Sequence, residues 1–224
     1  MRHPIGIRLF SLCGMFFFLL CAVVGCAQER PRSDLGGQYA RKPVVYLYPE
    51  TTSHVTVRLD YDGQLTCTYP AYEKGWQVIA QPDGALLNEA DGKEYSYLFW
   101  EGRWDREYDM SEGFVVKGSD SAAFLQGILP QLGLVPKEYN EFIVYWLPSL
   151  QENPYNLITF QQEAYTSHAS LEITPSPDTL IRVFMAYQPL EKPIEVPVPE
   201  FPPIERKGFT VVEWGGAIDV PFPL

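Results

Sequence analysis

VTVRLDYDGQLTCTY, residues 55–69, is the stretch from which the fold is read. Val55, Val57, Leu59 and Tyr61 alternate with Thr56, Arg58 and Asp60, the period of two that marks a strand with one buried face. After Asp62-Gly63 the alternation resumes and sets Leu65, Cys67 and Tyr69 together. Parity then selects the turn. A two-residue Asp-Gly loop would pair Tyr61 with Gln64 and put apolar side chains opposite polar ones. A three-residue loop, Tyr61 to Gly63 with Gly63 left-handed, pairs Leu59 with Leu65, Val57 with Cys67 and Val55 with Tyr69. The expected product is an antiparallel hairpin in which Cys67 is a buried, inert thiol.

Outward from this stretch the same pattern recurs. Val44–Tyr48 is a short apolar strand between prolines, and Trp76–Ala80, Ala85–Leu87 and Tyr95–Trp100 form a meander turning at Pro82-Asp83-Gly84 and Asp91-Gly92. Asn88, Asp91 and Glu94 lack the oxygen alternation of a calcium loop, so a hairpin turn is expected there. Ser119 is placed to cap one helix, with Leu125, Ile128, Leu129 and Leu132 on a single face. Pro130 kinks or ends that helix and Gly133 closes it. Pro136 opens a second short turn of helix, KEYNEF. Strands resume at Ile143–Leu147, Leu157–Gln161, Leu171–Thr174, Leu180–Tyr187 and Phe209–Trp214. Six prolines within residues 189–203 make a strap, too apolar at Ile194, Val196, Val198, Phe201 and Ile204 to be a free linker. It is expected to lie across the domain and deliver the last strand. The expected fold is a single, mainly β domain, an antiparallel sandwich or bent sheet with one or two short helices, over residues 42–224.

The start of the chain has a different character. Arg2 and Arg8 precede the apolar run Leu9–Val24, whose 16 residues fall short of the roughly 20 that span a membrane. Residues 1–25 therefore read as an export signal. Val23-Val24-Gly25-Cys26 resembles the lipobox of bacterial lipoproteins, with Val23 where Leu is usual. That resemblance implies cleavage before Cys26 and lipidation of its sulfur, and two or more acyl chains give a stable anchor. The alternative is an uncleaved helix that retains the protein with Cys26 incidental. Residues 26–41 then form the lipidated cysteine and a polar tether. The resemblance places the protein in the bacterial cell envelope, lipid-anchored and extracytoplasmic.

Charge and cysteine count narrow the chemistry. Without Arg2 and Arg8 the chain holds 15 basic against 28 acidic residues, a net charge of −13. With no basic run, nucleic acid is not an expected partner. Cys13 and Cys21 leave with the signal and Cys26 takes lipid, so Cys67 has no partner for a disulfide, and CxxC zinc sites are ruled out. No cofactor or metal is expected. His54 and His168 have no ligand spacing.

The segments KPVVYLYP (42–49), EYSYLFWEG (94–102), EFIVYWLP (141–148) and GFTVVEWGG (208–216) resemble hypothetical bacterial proteins across nearly the whole mature chain. The resemblance implies one intact domain and no mechanism. Candidate chemistry comes from the residues themselves. Rings beside carboxylates are what sugar recognition uses, so Trp100, Trp104, Tyr108 and Trp214 are the candidate ligand platforms. Glu101, Asp105, Glu163 and Glu213 are the candidate catalytic acids, which glycoside hydrolysis would need about 5–9.5 Å apart. The expected function is an envelope-anchored binding or structural module with a glycan or envelope-protein partner. The alternative is a small glycosidic hydrolase using two of those acids. The bland reading of every one of these residues is core packing and surface charge.

Overall fold

The structure is a computed structural model that describes residues 38–104 and 107–218. Its strands are β1 (Gln38–Tyr48), β2 (Ser53–Tyr61), β3 (Gln64–Tyr69), β4 (Trp76–Ala80), β5 (Leu86–Asn88), β6 (Glu94–Tyr95), β7 (Leu98–Trp104), β8 (Phe114–Lys117), β9 (Tyr155–Gln161), β10 (Ala169–Thr174), β11 (Thr179–Leu190) and β12 (Thr210–Ile218). Its α-helices are α1 (Ser121–Ile128), α2 (Pro136–Gln151) and α3 (Glu163–Thr166). A seven-stranded sheet runs β3-β7-β1-β12-β11-β9-β8, and a five-stranded sheet runs β10-β2-β4-β5-β6. The fold is mainly β, as the alternation implied, and among the described residues no helix is long and apolar enough to cross a membrane.

Two cores follow from strand parity. Val45 and Leu47 of β1, Trp100 and Trp104 of β7, and Val211 and Ala217 of β12 face the smaller sheet, meeting Val55, Val57 and Leu59 of β2 and Trp76 and Val78 of β4. The alternate residues, Val44 and Tyr46 of β1 with Val212 and Trp214 of β12, face Leu125 of α1 and Phe142, Trp146 and Leu150 of α2. The larger sheet is thus covered on both faces, which is why its central strands are apolar at nearly every position while β2 alternates.

The proline-rich segment starts later than residue 189, because Pro189 and Leu190 still belong to β11 and pair with Asn156 and Tyr155. β11 and β12 are parallel, so the chain must return the length of the sheet between them, and the strap makes that crossover. It is tied down where Gly113 N–H donates to the Pro197 carbonyl at 2.8 Å and where Phe201 packs against Phe114 and Phe160. Just beyond it, Arg206 pairs with the wholly buried Glu138 carboxylate and donates to the Gly133 carbonyl from Nε at 3.0 Å and Nη2 at 2.8 Å.

Several expectations are corrected. β2 and β3 do not pair: β2 takes β10 and β4 as neighbours, β3 takes β7, and the chain changes sheets at Asp62-Gly63. Gly63 is required there for space. A Cβ on it would lie 2.6 Å from the Tyr61 ring and against the Arg103 carbonyl. On the edge strand β3, Cys67 is therefore exposed, not buried, and Tyr69 is 60% exposed. Ile143–Leu147 is helix, not strand. Phe142, Trp146 and Leu150 recur every four residues and are buried, while Val144 is 74% exposed, so α2 runs on through Pro148 on the outer side. Ser119 does not cap α1. It sits in a 3-10 turn, its hydroxyl donating to Asp120 Oδ1 at 3.0 Å, and the helix begins two residues later. The tether ends earlier than residue 41, because Gln38–Arg41 already belong to β1.

Gly63→Ala is expected to lower stability by about 1–3 kcal/mol, the usual cost of overpacking, read as a lower urea midpoint. A change within about 0.5 kcal/mol would contradict the close approach at the sheet crossing.

Candidate functional site

The stretch Tyr97–Trp104 carries several of the residues singled out by sequence, and strand alternation divides them between two faces. Trp100 and Trp104 point into the inter-sheet core and are 0% and 3% exposed. Tyr108 is buried against Trp104 and Phe184, and Trp214 is wholly buried beneath α2. None of the four rings is open to solvent: Trp100, Trp104 and Tyr108 are packed in the inter-sheet core, and Trp214 lies beneath α2 with Lys42 over its ring. Apolar burial outweighed the sugar-binding reading because both faces of the sheet are covered. Cys26 and Asp105 lie outside the described residues.

Two polar constellations stand back to back on the larger sheet. On the inter-sheet face, Glu213 of β12 is 1% exposed by its side chain and lies beside Arg182 of β11, in register across the parallel pair. Arg182 Nε donates to Glu213 Oε2 at 2.7 Å, Nη2 stands 2.6 Å from the same oxygen outside hydrogen-bond alignment, and Trp100 Nε1 donates to Oε1 at 3.1 Å. The guanidinium lies 4.9 Å over the Tyr165 ring, which stacks on Phe184. Burial works against the Arg182 charge, and Glu213 with Tyr165 outweighs it, so Arg182 is held protonated above its ordinary value. Burial, reinforced by Glu213, pushes the Tyr165 phenol well up. Glu213 is thus a neutralised structural carboxylate.

On the opposite face, Lys42 has φ of +55°, the one non-glycine residue with positive φ among those described. It occupies a bulge where β1 loses register with both β7 and β12. A left-handed conformation costs a non-glycine residue about 1–2 kcal/mol. Glu101 Oε1 compensates by accepting the Lys42 N–H at 3.1 Å, and Gly215 leaves room for Pro43, whose Cα would stand 2.9 Å from a Cβ there. The Lys42 ammonium lies 5.5 Å from the Tyr97 ring centre, 5.5 Å from Tyr145 and 5.8 Å from Trp214. The sequence drew attention to Glu101 and Trp214 but not to Lys42. The signal available was Arg41-Lys42-Pro43, a charged pair before proline at the start of an apolar strand.

The acids are therefore separated. Glu101 and Glu213 face opposite sides of one sheet, Glu213 is locked to Arg182, and Glu163 is exposed on α3. Among the described residues no three of His, Cys, Asp or Glu converge into a metal site.

A cleft of about 590 Å³ opens beside Arg182, within the range of ligand pockets. It forms because β9 pairs with β11 only from Phe184 onward. Ahead of that point Leu180–Val183 is bonded to β12 on one side, and no described strand pairs with its other edge. Phe160, Leu171, Leu180, Ile181 and Val183 line the opening, with Phe201, Pro202 and Ile204 of the strap as one wall and Gln162, Glu163 and Thr166 at the α3 end. Leu180 and Ile204 are 45% and 43% exposed.

No family model and no solved structure matches the chain. A Butyrivibrio fibrisolvens protein, "Uncharacterized protein in bglA 3'region", is 42% identical over 96 residues, which make up 41% of this chain and 95% of that protein. The chain belongs to the family of that protein.

Arg182→Met is expected to cost about 3–5 kcal/mol in urea unfolding at pH 7, since it leaves Glu213 buried without its counter-charge. Arg182→Met combined with Glu213→Gln should restore more than half of that loss. Equal loss in the single and double variants would show that packing, not charge, is what the pair supplies.

Proposed function

We propose that the protein is a non-catalytic binding module of the bacterial cell envelope, anchored on the extracytoplasmic side by lipid on Cys26, with an envelope protein as its partner. The observation that carries this reading is the open edge of β11 at Leu180–Val183, set in an apolar cleft. An unpaired strand edge offers a row of N–H and C=O groups, and an extended segment of another protein can add to it as a further strand. Four residues at about 3.3 Å each make an edge roughly 13 Å long, enough for a short extended segment. The apolar walls then take alternate side chains of that segment.

A protein partner is favoured over a glycan because the rings that would stack on sugar are buried. Binding is favoured over hydrolysis because Glu213 is neutralised and Glu101 stands behind the sheet from it. The anchor rests on the lipobox-like Val23–Cys26.

The test has two parts. The full chain, expressed in a bacterial host fed an alkynyl fatty acid, should take up label and fractionate with membranes, and Cys26→Ser should lose both. Label on the Cys26→Ser variant, or none on the parent, would sink the anchor. Leu180→Glu and Ile204→Glu alter exposed rim positions, so they should leave the melting temperature within about 2 °C while abolishing cross-linking of the protein to its envelope neighbours. Unchanged cross-linking in both variants would rule out this cleft as the docking site.

A further inference from the structure

Lys42 is placed among aromatic rings in a way that its own chemistry does not account for. Its side-chain nitrogen is a cation with three N–H donors to satisfy. No carboxylate among the described residues pairs with it, and Glu101 is engaged with its backbone N–H. What surrounds the ammonium instead is three rings, Tyr97, Tyr145 and Trp214, at 5.5, 5.5 and 5.8 Å from their centres. These distances lie near the outer limit of cation–π contact, so each ring holds the ammonium only weakly. The backbone is held in a left-handed conformation to bring the lysine there. Strain of this kind persists where the surrounding structure enforces it and marks functional positions.

A quaternary ammonium fits this cage better than a lysine does. It carries positive charge spread over methyl groups that meet ring faces directly once the lysine has left, and it has no N–H left without a partner. We propose that the Tyr97–Tyr145–Trp214 cage is a binding site for a trimethylammonium group of the choline type, with Lys42 as its resident stand-in. Entry is from the Tyr145 side, since Tyr145 is 37% exposed while Trp214 is wholly buried behind the lysine. Lys42 is half-buried on a flexible four-carbon stem and swings to solvent as the ligand enters. Burial, and after it the nearby Glu101, raises the Tyr145 phenol, and that carboxylate adds negative potential at the rim. Exposed Arg41 beside it suits a ligand whose trimethylammonium is followed by an anionic group. This site is independent of the β11 cleft.

The test is calorimetric titration of the purified full-length protein with choline, phosphocholine and tetramethylammonium, with ammonium and ethanolamine as controls. Lys42→Gly removes the competing ammonium and suits the left-handed backbone, so it should bind choline at least tenfold more tightly than the parent. Tyr145→Ala in the Lys42→Gly background should lose at least tenfold. If Lys42→Gly does not fold, Lys42→Gln, which keeps most of the stem without the charge, carries the same comparison. Vesicles of phosphatidylcholine against phosphatidylethanolamine separate the sources. Binding to choline or phosphocholine alone assigns a soluble or polymer-borne ligand, and preference for phosphatidylcholine vesicles assigns a lipid headgroup. A folded Lys42 variant with no preference for trimethylammonium over ammonium would overturn the proposal and leave Lys42 as a bulge residue only.

Discussion

The structure depends on β12 having no free side. Every residue from Thr210 to Ala217 is buried, and the strand is paired on both edges, antiparallel to β1 and parallel to β11. Such a strand cannot carry a charge unless the charge is met locally, and Glu213 is met by Arg182 from the neighbouring strand and by Trp100 from across the sheet. The ion pair is not a large net source of stability, because removing both charges from water costs about as much as their attraction returns. It does fix register. Arg182 stands opposite Glu213 in the parallel ladder, and a slip of one residue would leave each charge buried and alone.

The same alternation governs what the protein can do. Neighbouring residues on β7 and β12 face different cores, so Trp100 joins Glu213 while Glu101 joins Lys42 and Trp214. The sheet is a partition between two polar constellations, one a neutralised pair whose arginine lines a cleft, the other a lysine among rings. Glu101 and Glu213, both candidate acids, are thereby kept from acting together. The cleft exists because the sheet is incomplete at one corner, where β9 stops short and the chain turns into α3.

Strand positions were largely legible because a period of two survives wherever one face is buried, as at Val55–Tyr61. Strand partners were not. The alternation of β2 specifies which face turns inward, and Leu171 and Ile173 of β10 satisfy it as well as the residues after Gly63 would. Ile143–Leu147 misled because β-branched and aromatic residues favour strands by composition, while the four-residue recurrence of Phe142, Trp146 and Leu150 carries the helix. The site suffered from a related ambiguity. Trp and Tyr beside Glu describe a sugar platform and a buried aromatic core equally well, and only the number of covered faces separates them. Lys42 left almost no trace, since a positive φ at a non-glycine residue is imposed by tertiary contacts and not by local preference.

The central claim is that β12 is the pivot shared by both cores, and native-state amide hydrogen exchange tests it most directly. The account predicts that the amides of Val211–Ala217 exchange only through global unfolding, at least as slowly as any in the molecule and more slowly than those of β4 and β5 in the smaller sheet. Exchange of β12 through a lower-energy opening, ahead of β4 and β5, would contradict it.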